Sequence, residues 1–130
     1  MRLIAFALVA LIAVPASAQT FRAENQVDVV PTAGGFAVQN GGGFGARGMW
    51  CAAADFARDR LGARGVDRIY VRTGRTPGVG QRAPVEFTLD PAGLTPSSVL
   101  IAGSGLRTPG ANLSVDHAHI FCDDAKGVNR

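Results

Sequence analysis

Lysine is nearly missing from this chain: thirteen residues are Lys or Arg, and Lys126 is the sole lysine. Tryptophan and tyrosine occur once each, and cysteine twice, in 130 residues. After Val14 no uncharged apolar run approaches the roughly twenty residues that cross a bilayer, which excludes a membrane span from the rest of the chain. No internal repeat recurs, which excludes a solenoid or array. Arg58, Arg60, Arg64, Arg68, Arg72, Arg75 and Arg82 bunch together, yet no aromatic residues interleave with them in the way single-stranded nucleic acid requires. Asp55, Asp59 and Asp67 interleave with the first of these arginines instead, as on solvated, partly paired faces. The formal net charge is only +3. Nucleic acid is therefore not an expected partner, whereas a protein or a small anionic ligand near Arg72, Arg75 and Arg82 is.

What is present begins with an export signal. Arg2 supplies a positive start, Leu3 to Val14 is apolar, and Pro15 breaks the run just before Ala16-Ser17-Ala18. Small side chains at Ala16 and Ala18 suit a signal peptidase, so residues 1–18 are expected to be a signal peptide cut before Gln19. An apolar run of about twelve residues is too short to anchor in a membrane. No cysteine stands at the cut, which excludes lipid attachment there. The expected mature protein is a single domain, residues 19–130, in the periplasm or outside the cell.

Two cysteines in an oxidising compartment are more often paired than free. A Cys51–Cys122 disulfide is therefore expected, closing a loop of about 70 residues.

Met49 to Leu61 reads as the one convincing helix, free of Gly and Pro, with Gly62 placed to cap its C-terminus. Trp50, Ala53, Ala54, Ala57 and Leu61 form one stripe on it. Before the helix, Gln26–Val30 reads as a strand stopped by Pro31, and Phe36–Val38 as a weaker one. The Gly-rich segment 40–48 reads as irregular. After the helix, Asp67–Thr73 places Ile69 and Val71 on one face and Arg68, Tyr70 and Arg72 on the other. Pro84–Leu89 alternates with Val85, Phe87 and Leu89 inward and Glu86 and Thr88 outward. Thr73–Gly80 and Gly103–Gly110 read as loops, Ser98–Ala102 as a short strand, and Asn112–Cys122 as the last and longest strand. One helix followed by antiparallel-looking strands defines an α+β fold, with the Ala-rich helix laid on a small, mostly antiparallel sheet.

Several constellations bear on chemistry. Cys51 stands in what reads as the first helical turn, where unpaired N–H groups favour a thiolate, and His117 or His119 is available as a base. Trp50-Cys51-Ala52 with His117-Ala118-His119-Ile120 resembles the helix-borne Cys and strand-borne His of the NlpC/P60 and CHAP peptidases. That resemblance implies a cysteine hydrolase acting on cell-wall peptides, with Cys51 and His119 catalytic. Those families add a polar orienting residue on a further strand, for which nothing after His119 offers a match. Cys122 also stands ready as a disulfide partner, which is the better reading of Cys51.

His117 and His119, two apart on a strand, would project from one face and share a metal ion if a third ligand came from elsewhere. Asp116, Asp123 and Asp124 are close in sequence. Gly43-Phe44-Gly45-Ala46-Arg47-Gly48 spells a dinucleotide-binding fingerprint, but no second βαβ unit follows, and a loop leading into the helix is the better reading. Ser104 lacks the flanking glycines of a nucleophile elbow. Asn112-Leu113-Ser114 is a glycosylation sequon by spelling only.

Met49-Trp50-Cys51-Ala52-Ala53-Ala54-Asp55-Phe56-Ala57, Arg68-Ile69-Tyr70-Val71 through Arg75, and Val85–Leu89 together resemble a group of small uncharacterised bacterial exported proteins. These pair a Trp-Cys-Ala-Ala helix start with a Tyr-Val/Ile strand and end in a Cys-bearing strand. The resemblance implies export and the α+β fold, and no reaction. The expectation is an exported, disulfide-bonded domain that binds or supports rather than catalyses, with no cofactor. A cysteine hydrolase and a metal-binding module are the alternatives.

Overall fold

A computed structural model of the chain describes residues 19–74 and 84–128. The expected signal peptide, residues 1–18, and Arg75 and Arg82 of the arginine-bearing turn lie outside these residues. The elements run in chain order β1 (Phe21–Arg22), β2 (Asp28–Thr32), β3 (Gly35–Val38), α1 (Gly45–Leu61), β4 (Arg68–Thr73), β5 (Val85–Thr88), β6 (Ser97–Ser98), α2 (Ala102–Gly105), β7 (Ala111–Ser114), α3 (Val115–Ile120) and α4 (Asp123–Val128).

Alternating apolar residues place the strands in a seven-stranded sheet ordered β1-β2-β3-β5-β4-β7-β6. All neighbours are antiparallel except β6 and β7. The fold is thus α+β as expected, with a sheet larger than the small one the strand segments suggest. Strands β3 and β4 flank β5 and run parallel to each other, so α1 is the crossover of a split βαβ unit. In the predicted register Val85 and Phe87 face inward from β5, and Ile69 and Val71 from β4. Thr88, expected outward, is buried as well, and its Oγ1 accepts the Asp90 N–H at 3.1 Å.

Pro31 does not stop β2, which continues to Thr32. Thr32 lies opposite Gly35 at the hairpin end, so Pro31, one residue back, turns its nitrogen away from β3. On that side β1 pairs only as far as Val29, so no ladder bond is lost.

Helix α1 begins at Gly45, four residues earlier than its apolar pattern indicates, and ends where Gly62 takes the left-handed conformation at φ 63°. Glycine inside a helix costs up to about 1 kcal/mol relative to alanine. Here close packing requires it: a Cβ on Gly48 would collide with the Gly41 carbonyl. The stripe of Trp50, Ala53, Ala54 and Ala57 is fully buried, but so are Met49, Cys51 and Ala52 on the other side. Leu61, at the end of the stripe, is exposed. The reason is layering: α1 packs on β2, β3 and β4 with one face and against α3 with another. Aromatic rings carry the core across the sheet in a chain, Phe21 to Phe56, Phe56 to Phe36, Phe36 to Phe87 and Phe87 to Trp50, with centroids 4.7–6.0 Å apart.

The largest departure from the sequence pattern comes after β7. The expected strand Asn112–Cys122 ends at Ser114, and Val115–Ile120 is helical. Ser114 is an N-cap, accepting the His117 N–H on its side-chain oxygen at 3.2 Å, and Asp116 sits in the first turn. The Val115 and Asp116 N–H groups are taken by the carbonyls of Asp67 and Gly65. The expected strand Ser98–Ala102 is likewise reduced to Ser97–Ser98, leaving Leu100 and Ile101 93% and 70% exposed, and α2 opens what reads as a loop.

Candidate functional site

Cys51 and Cys122 form a disulfide with Cα atoms 4.9 Å apart, well inside the roughly 7 Å limit for such a bond. Both residues are buried. Cys51 occupies the seventh position of α1 rather than its first turn, because the helix starts at Gly45. Helix-terminus stabilisation falls off within the first turn, so it does not reach this sulfur. Cys122 lies in the turn between α3 and α4, not at the end of a strand. The bond therefore ties α1 to the helical layer above it.

Since α3 is a helix, two residues apart means nearly opposite sides, and His117 and His119 do not share a face. His117 is exposed and lies beside the Phe121 ring, centroids 5.8 Å apart. His119 turns the other way, its Nε2 at 3.3 Å from Glu24 Oε2. The alternative reading of His117 and His119 as a metal-binding pair rests on a strand, and the helix sets the two rings apart instead. Asp124 is held by Arg47 through two hydrogen bonds of 2.7 and 3.0 Å, and Asp123 by Lys126 at 3.1 Å.

A different cluster stands beside the disulfide. Glu24, in the loop between β1 and β2, reaches His119 with one oxygen and Lys126 Nζ with the other at 3.7 Å. Its backbone N–H donates to Asp55 Oδ2 at 2.8 Å. Asp55 lies four residues after Cys51 on α1, hence on the same helical face. Burial pushes the Asp55 carboxyl above the usual carboxylate range; the Glu24 N–H pulls it back, and the Glu24 charge pushes it up again. The His119 and Glu24 side chains are only 24% and 35% exposed. Next to Glu24, Asn25 is buried, donating to the Gly48 carbonyl at 2.8 Å while its Oδ1 finds no partner. This loop is thereby pinned to the start of α1. Glu24 and Asp55 carry no local sequence signal, but His119-Ile120-Phe121-Cys122 does, since H-x-x-C puts both side chains on one helical turn.

The glycine fingerprint is not a phosphate cradle. The Gly41 carbonyl accepts the Phe44 N–H at 3.0 Å, and the close approach of Gly48 fills the loop with its own backbone. Ser104 lies in α2. Asn112 is buried, donating to the Ser97 and Gly110 carbonyls and accepting from Arg68, so the sequon is not presented. Arg72 is paired with Glu86. Among the described residues no helix is long and apolar enough to cross a membrane. No protein-family model, curated protein or solved structure matches the chain.

Proposed function

We propose that the protein is an exported, disulfide-closed α+β domain, akin to the small bacterial exported proteins it resembles, that acts by binding a partner rather than by catalysis. One observation carries the reading: both sulfurs are engaged in one buried disulfide. A thiol nucleophile at Cys51 is thereby removed, and such a bond persists in an oxidising compartment. The cysteine-hydrolase reading weakens further because Cys51 lies inside the helix, and His119 is engaged with Glu24.

The partner surface best suited is the sheet face opposite α1. Helices α2 and α3 both contact α1, and Arg47 holds α4 to it, so the described helices gather on one side. The other face carries Arg68, Tyr70, Arg72 and Glu86, mixed charge around one aromatic ring. Arg72 brings its own counter-ion, which favours a protein partner over a free small anion.

Intact mass of protein recovered from the periplasm or medium tests the reading. The expected mass is that of a chain starting at Gln19 less two hydrogens, with no alkylatable thiol in denaturant. A full-length cytoplasmic chain with two reactive thiols would overturn it.

A further inference from the structure

Four metal-ligating side chains converge on the disulfide from three places. Cys51 comes from α1 and Glu24 from the loop between β1 and β2. His119 and Cys122 come from one turn, closed by the Cys122 N–H donating to the His119 carbonyl at 3.0 Å. The ligand atoms of Glu24, His119 and Cys122 all lie within 4.8 Å of one another. Tetrahedral zinc, bound at about 2.0–2.3 Å, holds neighbouring donor atoms about 3.5 Å apart. Closing these three atoms to that spacing takes a side-chain movement of about 1 Å. Cys51 Sγ lies outside the trio and joins it by turning once its bond to Cys122 opens. While the disulfide stands, only His119 and Glu24 have free donor atoms, too few for a structural site. With it open, two thiolates, one imidazole and one carboxylate make a complete set.

We propose that Cys51, Cys122, His119 and Glu24 form a four-ligand zinc site when the Cys51–Cys122 bond is reduced. The proposal depends neither on export nor on the binding role. The step balances with a dithiol as reductant. The protein disulfide gains two electrons and two protons, and the dithiol closes to its own disulfide. Zinc then displaces two protons from the protein thiols. Two thiolates and a carboxylate leave the bound site one negative charge, and Lys126 stands at 3.7 Å from Glu24 to offset it. Disulfide and metal are thus alternative ways of closing the same seam between α1 and α3. Zinc binding to the newly made, still reduced chain delays its oxidation.

The test is an anaerobic titration with cobalt(II), then zinc, of the purified protein reduced by a dithiol that is removed beforehand. One cobalt per chain is expected, with tetrahedral absorption bands and a thiolate charge-transfer band, all displaced by zinc. Oxidised protein should show neither band. His119→Ala and Glu24→Gln should each weaken binding tenfold or more, and His117→Ala should leave it unchanged. If reduction alone loosens the fold, zinc should restore the near-ultraviolet signal of buried Trp50. Cys51→Ser, which frees Cys122 without a reductant, should still bind cobalt through three protein ligands. The proposal is overturned if reduced protein binds no cobalt. It is equally overturned if binding survives His119→Ala undiminished, because the metal then sits on thiols alone. A Trp50 signal that zinc leaves unrestored in a loosened chain counts against it in the same way.

Discussion

Asp55 is a carboxylate kept for its acceptor oxygen at some cost in charge. Its Oδ2 takes the Glu24 N–H, while burial raises its pKa above the ordinary 3.8. A raised carboxyl contributes most below the unfolded value, and that contribution is lost as pH climbs through the folded one. Asp55→Asn keeps the acceptor and removes the charge. Its melting temperature relative to wild type should therefore be higher at pH 7 than at pH 3, and a pH series of thermal melts reads the crossover. Trp50 is the opposite case, a residue whose role is volume. It is fully buried, with its ring 5.1 Å from Phe87, so Trp50→Ala should cost about 3–5 kcal/mol in urea unfolding.

At the scale of elements, legibility depended on whether the deciding contact was local. The alternation of β4 and β5 and the Gly62 cap could be read because neighbouring residues set them. The second half of the expected last strand could not. Leu113, Val115, His117, His119 and Phe121 mimic a period of two, and the pattern alone does not report that Asp67 and Gly65 take the N–H groups that open α3. Ser114 followed by Asp116 was the one local clue, a capping residue with an acid in the first turn. Ser114→Ala should cost about 1 kcal/mol, seen as a lower urea midpoint with an unchanged slope. The candidate site suffered from the same blindness. Reading 115–120 as a strand put both histidines on one face, whereas the helix separates them and delivers His119 to Glu24, 95 residues earlier in the chain. The early start of α1 was hidden by glycines, whose presence reflects the approach of Gly41 to Gly48 rather than disorder.

At the scale of the whole molecule, the described residues form three layers, a sheet, α1, and a cover of short helices, and the disulfide joins the second layer to the third. Short helices such as α3 and α4 have little stability of their own. Closing a loop with a sequence separation of 71 residues is worth about 4 kcal/mol in the chain-entropy model. Against a typical total of about 5–15 kcal/mol, reduction should lower the urea midpoint severely. Hydrogen exchange in reduced protein should rise first in α3 and α4, with β4 and β5 protected longest.

The position of the bond along the chain also sets an order of events. A polypeptide emerges from its N-terminus, so Cys51 appears long before Cys122, and all seven described strands precede the second sulfur. A product cut short between the end of α1 and the start of α3 keeps a bare thiol on a helix that lacks its cover. The presence or absence of that thiol therefore reports, in one chemical test, whether the chain has reached Cys122 and the helical cover it carries.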